Sequence, residues 1–217
     1  MTDDLLDTLS SDLKPVRPMR LWPLWLLAFA GLVVAALFVI AVYRPRPEMI
    51  AVSHGVWPST FMIFGKPLLF LVTGLSALWG VGDLVRPQGR LRFRTLAPVA
   101  ILLAVVVLSA VHQVMGDGPA STLHSLQGGN RLCFETIVGG GLIGFGLLWG
   151  LWLRKAATAS PVTLGALSGL AAASLAASAY AIHCNMDAPA YLLLVYGVAV
   201  GLITALAALL GCRLFKW

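Results

Sequence analysis

Six separate runs of apolar residues, each bounded by charge, proline or a polar cluster, decide what this chain can become. They fall at residues 21–43, 63–82, 96–115, 137–153, 162–183 and 191–214. A bilayer span consumes about 20 apolar residues, so 217 residues leave room for at most six or seven spans with their connections and a short tail. No large water-soluble domain fits. Only 11% of the residues are charged, against about a quarter in soluble domains. The predicted fold class is therefore all-α: a polytopic membrane protein with six transmembrane helices over 21–217, preceded by a tail over 1–20.

The net charge of +6 reads as topology. An even number of spans puts both termini on one face, together with the connections at 84–95 and 154–161. That face carries Lys14, Arg17, Arg20, Arg86, Arg90, Arg92, Arg94, Arg154, Lys155, Arg213 and Lys216, eleven of the basic residues. The other face carries four: Arg44, Arg46, Arg131 and Lys66, the last expected to snorkel outward from the mouth of the second span. By the positive-inside rule both termini are cytoplasmic, which in a bacterium means a multi-pass inner-membrane protein. The first apolar run is longer than a secretory signal core and is expected to remain as an anchor.

Within the spans, Gly140 and Gly144, Gly146 and Gly150, Gly165 and Gly169, and Gly197 and Gly201 each set two small residues on one helical face, a pattern for close intramolecular helix packing. Ionisable residues at mid-membrane, the usual mark of a transporter or proton pump, are missing; Lys66, Asp83, His112 and His183 all sit near span ends. This argues against charge transport.

The tail has its own pattern. On a helical wheel Leu5, Leu6, Leu9 and Leu13 share an arc of about 100°, with Asp3, Asp4 and Asp7 opposite and Asp12 flanking the stripe. Thr2 suits an N-cap, the early aspartates suit the positive end of the helix dipole, and Pro15 stops the helix. A helix of about three turns is marginal alone in water, so lipid, the bundle itself or a partner must cover its leucines if it is not simply a solvated tail. Lipid-lying helices are usually basic, whereas this one carries four aspartates and no cation through residue 13. A basic cytosolic protein with an apolar groove is the expected partner.

On the outer face, Cys133 is expected in the long connection Gly116–Thr136 and Cys184 just beyond the fifth span, while Cys212 lies at the inner end of the sixth. The outer pair has three open uses: a structural disulfide, which would stabilise by about 4 kcal/mol through its loop; a thiol switch for redox or electrophile stress; or soft-metal capture. No dedicated metal site is expected. His183, Cys184 and Cys133 are weak candidates, with His54, His112, His124, Glu135 and Asp187 also outward, because the spacings match no compact ligand motif. No C-x-x-C, phosphate loop, zinc-protease helix or nucleophile elbow occurs, so neither an enzyme nor a cofactor is expected. The alternatives in other classes are a membrane thiol-redox protein and a small transporter or structural subunit.

These residues also carry a resemblance. Asp3-Asp4-Leu5-Leu6, Leu9, Asp12-Leu13 and Pro15-Val16-Arg17-Pro18 resemble the start of the NrsF family of bacterial membrane proteins, negative regulators of sigma F. Cys133, Trp152-Leu153-Arg154, Tyr180-Ala181-Ile182-His183-Cys184, Asp187-Ala188-Pro189 and Arg213-Leu214-Phe215-Lys216-Trp217 are similar as well, and one departure is Asn185-Met186 after Cys184, where the pattern has a proline followed by an acid. The resemblance implies a six-span anti-sigma factor that holds an extracytoplasmic-function (ECF) sigma factor at the cytoplasmic face and makes no direct contact with nucleic acid. By the same resemblance Asp3, Asp4, Leu5, Leu6, Leu9, Asp12 and Leu13 would bind that partner, and Cys133 and Cys184 would sense the stress that releases it.

Overall fold

The computed structural model describes residues 19–55, 62–86, 88–125, 130–156 and 158–215, and every regular element among them is helical. Six helices are long and apolar enough to cross a membrane: α1 Trp22–Val42, α3 Met62–Leu84, α4 Phe93–Asp117, α6 Asn130–Leu151, α7 Pro161–Tyr180 and α8 Pro189–Leu214. Two short outer helices, α2 Pro47–Ser53 and α5 Pro119–Ser125, lie in the connections. A proline in the first turn starts α1, α2, α7 and α8, where its missing N–H would have had no helical partner anyway.

Composition sets which helix is central. The α7 run is almost wholly alanine, glycine, serine and leucine, so neighbouring backbones can approach on every side. Two thirds of its spanning window is buried, against 6% for α1 and α4. Helices α3, α6 and α8 surround α7, and α1 and α4 present leucine, valine and phenylalanine outward, as lipid-facing helices do.

The glycine pairs divide. A Cβ on Gly140 or Gly144 would meet Ala176 or Ala172 of α7 at 3.0 and 3.3 Å, and one on Gly169 would meet the Ala207 Cβ of α8 at 2.5 Å. Gly165 faces the Ala207 carbonyl, and Gly211 faces that of Pro161. Gly146, Gly150 and Gly201 have nothing within 4 Å, and Gly197 meets only its own helix. Close packing therefore accounts for the first and third pairs.

Two apolar clusters stack through the bundle. The inner one joins Leu24, Leu78, Val81, Trp152, Leu153, Leu164 and Phe215, with Met19 and Leu21 packed against it. The Trp152 indole donates a hydrogen bond to the Arg20 carbonyl at 3.3 Å, holding the start of α1 against this cluster. The outer cluster contains both Cys133 and Cys184.

The fourth span begins at the outer end earlier than its apolar run suggests. Arg131 and Glu135 form an i,i+4 ion pair at 2.7 Å on the exposed side of α6, so two charges that read as a loop instead extend a helix whose other face is apolar. Cys133 is accordingly a helical residue, not part of a loop between 116 and 136. At the inner end the same helix stops at Leu151, and Leu153–Lys155 forms a 3₁₀ turn.

Candidate functional site

The site grows from three places in the sequence that meet at the outer end of α7. Cys133 sits in the first turn of α6, Cys184 in the turn that follows α7, and Tyr191 and Tyr196 on the opening turns of α8. Tyr180, the last residue of α7, completes the enclosure. The two sulfurs are 3.6 Å apart as thiols, with the Cys133 proton directed at Cys184. The Tyr191 hydroxyl donates to Cys133 Sγ at 3.0 Å, and the Cys133 thiol lies 3.5 Å from the Tyr180 hydroxyl. Leu192–Gly197 is a π-helical segment, and its wider turn carries Tyr196 onto the same side as Tyr191, their rings 6.3 Å apart. Such segments recur at functional sites.

Both thiols are buried: Cys133 is 3% and Cys184 5% exposed. The accessible pair expected from the sequence is thus a buried one, because α6 starts early and the tyrosines close over it. A cavity of about 450 Å³ reaches the pair from the outer surface, lined by Tyr43, Arg46, Leu132, Tyr180, His183 and Met186 among others. Burial predicts that a bulky maleimide labels the pair at least about tenfold more slowly in the folded protein than in dodecyl sulfate, since labelling must wait for local opening. Mass spectrometry of a Cys212→Ser variant, which removes the exposed third thiol, checks this; equal rates would contradict the enclosure.

Beneath the pair lies a charged node that sequence reasoning missed. Lys66 does not snorkel. It is fully buried, its Nζ donating to the carbonyls of Cys184 at 3.2 Å and Met186 at 2.9 Å, 3.8 Å from Asp187 Oδ1 and 4.7 Å from the centre of the Tyr196 ring. Outward solvation is unnecessary because the non-helical turn at 184–187 offers it carbonyls that have no helical donor. Arg46, 3% exposed, grips Asp187 with both Nη atoms at 3.2 and 2.7 Å and reaches Glu48 at 3.3 Å. Its backbone N–H donates to Ile182, and His183 Nδ1 lies 2.9 Å from the Arg44 carbonyl, where the chain turns through a left-handed φ of 64°. The α1–α2 connection is thereby tied along the whole Cys184 turn.

The electrostatics follow. Burial opposes the Arg46 charge, but its hydrogen bonds and proximity to Asp187 and Glu48 outweigh this and raise its pKa. The hydrogen bond from Cys133, and after it the positive charge of Lys66, hold the Cys184 thiol below the ordinary thiol range, against its own burial.

Other expected site residues are placed elsewhere. His54, His112 and His124 are exposed and only His183 lines the cavity. Among the described residues no group of three His, Cys, Asp or Glu side chains could hold a metal. Asp3, Asp4, Leu5, Leu6, Leu9, Asp12 and Leu13 lie outside the described residues.

Comparison with known proteins agrees over the length of the chain. Residues 9–217 match the family model described as NrsF, negative regulator of sigma F. The chain is 28% identical over 222 aligned positions to the anti-sigma-F factor NrsF of Caulobacter vibrioides, covering 100% of this chain and 99% of that protein. No solved structure matches.

Proposed function

The chain belongs to the NrsF family of negative regulators of sigma F, and from that premise we propose that it holds an ECF-type sigma factor at the inner membrane through its acidic N-terminal helix and lets it go when the outward cysteine pair is modified. The observation that carries this reading is the family match over nearly the whole chain. Its chemistry is consistent throughout. Surfaces that meet polymerase and DNA are basic, so a leucine-striped helix with aspartates on its flank is a suitable decoy for them. The tail enters the bundle at Arg20, against Trp152 and on the side rich in arginine, which the positive-inside rule makes cytoplasmic. The cysteines sit at the opposite end of the bundle, which on that orientation is the side of the oxidising compartment.

The reading also has a route available to it. Helix α3 carries Lys66 at its outer end, against the Cys184 turn, and at its inner end Trp79 meets Trp25 with ring centres 6.1 Å apart. Gly82 approaches Leu21, whose side chain a Cβ there would meet at 3.6 Å. One continuous helix therefore touches both the thiol site and the root of the tail.

The deciding experiment is affinity purification of the full chain with and without residues 1–20, the bound proteins being identified by mass spectrometry. A sigma factor recovered only with the tail supports the proposal; the same sigma factor recovered without it overturns the tail's role. For the thiols, Cys133→Ser and Cys184→Ser are each expected to keep the sigma factor held under thiol stress, so that a sigma-dependent reporter loses its induction. Undiminished induction in both variants would remove the pair from the release step.

A further inference from the structure

In the buried part of the node beneath the cysteines, cations outnumber anions. Arg46 and Lys66 bring two positive charges, and Asp187 between them brings one negative. Glu48 lies to the outside, 46% exposed, where water screens it. Asp187 is committed to Arg46 by two hydrogen bonds of 3.2 and 2.7 Å, leaving Lys66 at 3.8 Å with the weaker share of the carboxylate and two neutral carbonyls. A lysine ammonium wholly shut away from water in a membrane protein needs a compensating partner. A further group of this node that can provide a negative charge is the thiol of Cys184, the residue whose carbonyl Lys66 holds at 3.2 Å.

Resting on the sensing reading of the cysteine pair, we propose that Lys66 is a positioning residue that sets the thiol–disulfide equilibrium of Cys133 and Cys184, favouring the reduced pair by supplying the counter-charge to a Cys184 thiolate. The lowered pKa of that thiol is consistent with this. Oxidation changes the charge of the node. In the reduced state Cys133 keeps its proton and Cys184 is the anion beside the ammonium. With a cyclic disulfide such as oxidised dithiothreitol as acceptor, the Cys184 thiolate attacks one ring sulfur and opens the ring. Cys133 then gives up its proton and attacks the sulfur of Cys184, forming the protein disulfide and expelling reduced dithiothreitol, which takes up the Cys133 proton and one more from water. Two electrons pass from the protein to the reagent. The product pair is neutral, so Lys66 is left buried with only its longer, shared contact to Asp187 at 3.8 Å as counter-charge. That penalty falls on the oxidised state alone, which keeps the pair reduced until a strong enough oxidant arrives and makes the Lys66 contacts the first to rearrange once it does.

The test is the redox titration of the purified full chain in lipid nanodiscs, carrying Cys212→Ser, in buffers of reduced and oxidised dithiothreitol with no partner protein present. Lys66→Met and Lys66→Gln are each expected to shift the equilibrium toward the disulfide by about tenfold, which is about 30 mV toward negative potential for a two-electron couple. Lys66→Arg, which keeps the charge, is expected to stay close to the unaltered protein. Should Lys66→Met fail to fold, Lys66→Gln decides, because its amide can still donate to the carbonyl oxygens of Cys184 and Met186 without the charge. A folded Lys66→Gln protein that titrates like the unaltered chain overturns the proposal, as does a Lys66→Arg protein displaced as far as Lys66→Gln. Because no sigma factor is present, either result leaves the anti-sigma reading to be judged by the tail experiment alone.

Discussion

Replacing Leu5 and Leu9 together by aspartate is expected to abolish capture of the sigma factor while leaving the membrane bundle folded. If the tail stripe is the contact face, each leucine fully buried would stabilise the complex by about 1.5–3 kcal/mol, and a folding cost of about 2–5 kcal/mol would be met from that. Removing two takes away about 3–6 kcal/mol, or roughly two to four powers of ten in affinity, before counting the cost of placing two carboxylates in an apolar groove. Binding of a fluorescent peptide of residues 1–20 to the purified sigma factor measures this directly. Asp3→Asn with Asp4→Asn is expected to act differently, lowering the association rate and its salt dependence more than it accelerates dissociation, because flanking charges steer encounter. Unchanged affinity in the Leu5, Leu9 variant would mean that the apolar stripe is not the contact face.

How much of this was legible in the sequence depends on how far apart the cooperating residues lie. The six spans and the central place of glycine in their packing follow from local runs, and the helices match them to within a few residues except where Arg131 and Glu135 pair across one helical turn and disguise the start of α6. The cysteines could be assigned to one face by counting spans, yet not to a distance of 3.6 Å. Their surroundings were invisible for a physical reason: Tyr180, Tyr191 and Tyr196 arrive from the ends of two helices, and Arg46, Lys66 and Asp187 from three separate segments, so no spacing rule joins them. One signal was present. A lysine in the first turn of an otherwise apolar span that also holds Pro67 is costly, and treating it as a snorkelling side chain passed over the other way such a charge is accommodated, which is burial against a partner.

The contrast among the glycines leads to the other large effect. Gly165 and Gly211 bring the backbones of α7 and α8 into direct contact, and Gly169 lies against Ala207 and the Ile203 carbonyl. Gly165→Leu is therefore expected to prevent the two helices from docking at all, seen as loss of a monodisperse protein in detergent. Gly165→Ala, which asks rigid backbone rather than a side chain to give way, is expected to cost at least the 1–3 kcal/mol typical of overpacking. Gly146→Ala, on the open side of α6, is expected to change stability by no more than about 0.5 kcal/mol. Denaturation by dodecyl sulfate in mixed micelles ranks the three, and equal behaviour of Gly165→Ala and Gly146→Ala would refute the interlock. The same contacts decide which helices can move. With α7 and α8 locked backbone to backbone, a rearrangement begun at the cysteines is expected to displace α6, which meets α7 through Gly140, Gly141 and Gly144 against alanine side chains, and α3, which meets α7 through Gly74 and Gly80 against Leu175 and Leu167. Those contacts are made mainly by side chains, which give way more easily than backbone, and α3 is the helix whose inner end carries Gly82 against Leu21 at the root of the tail.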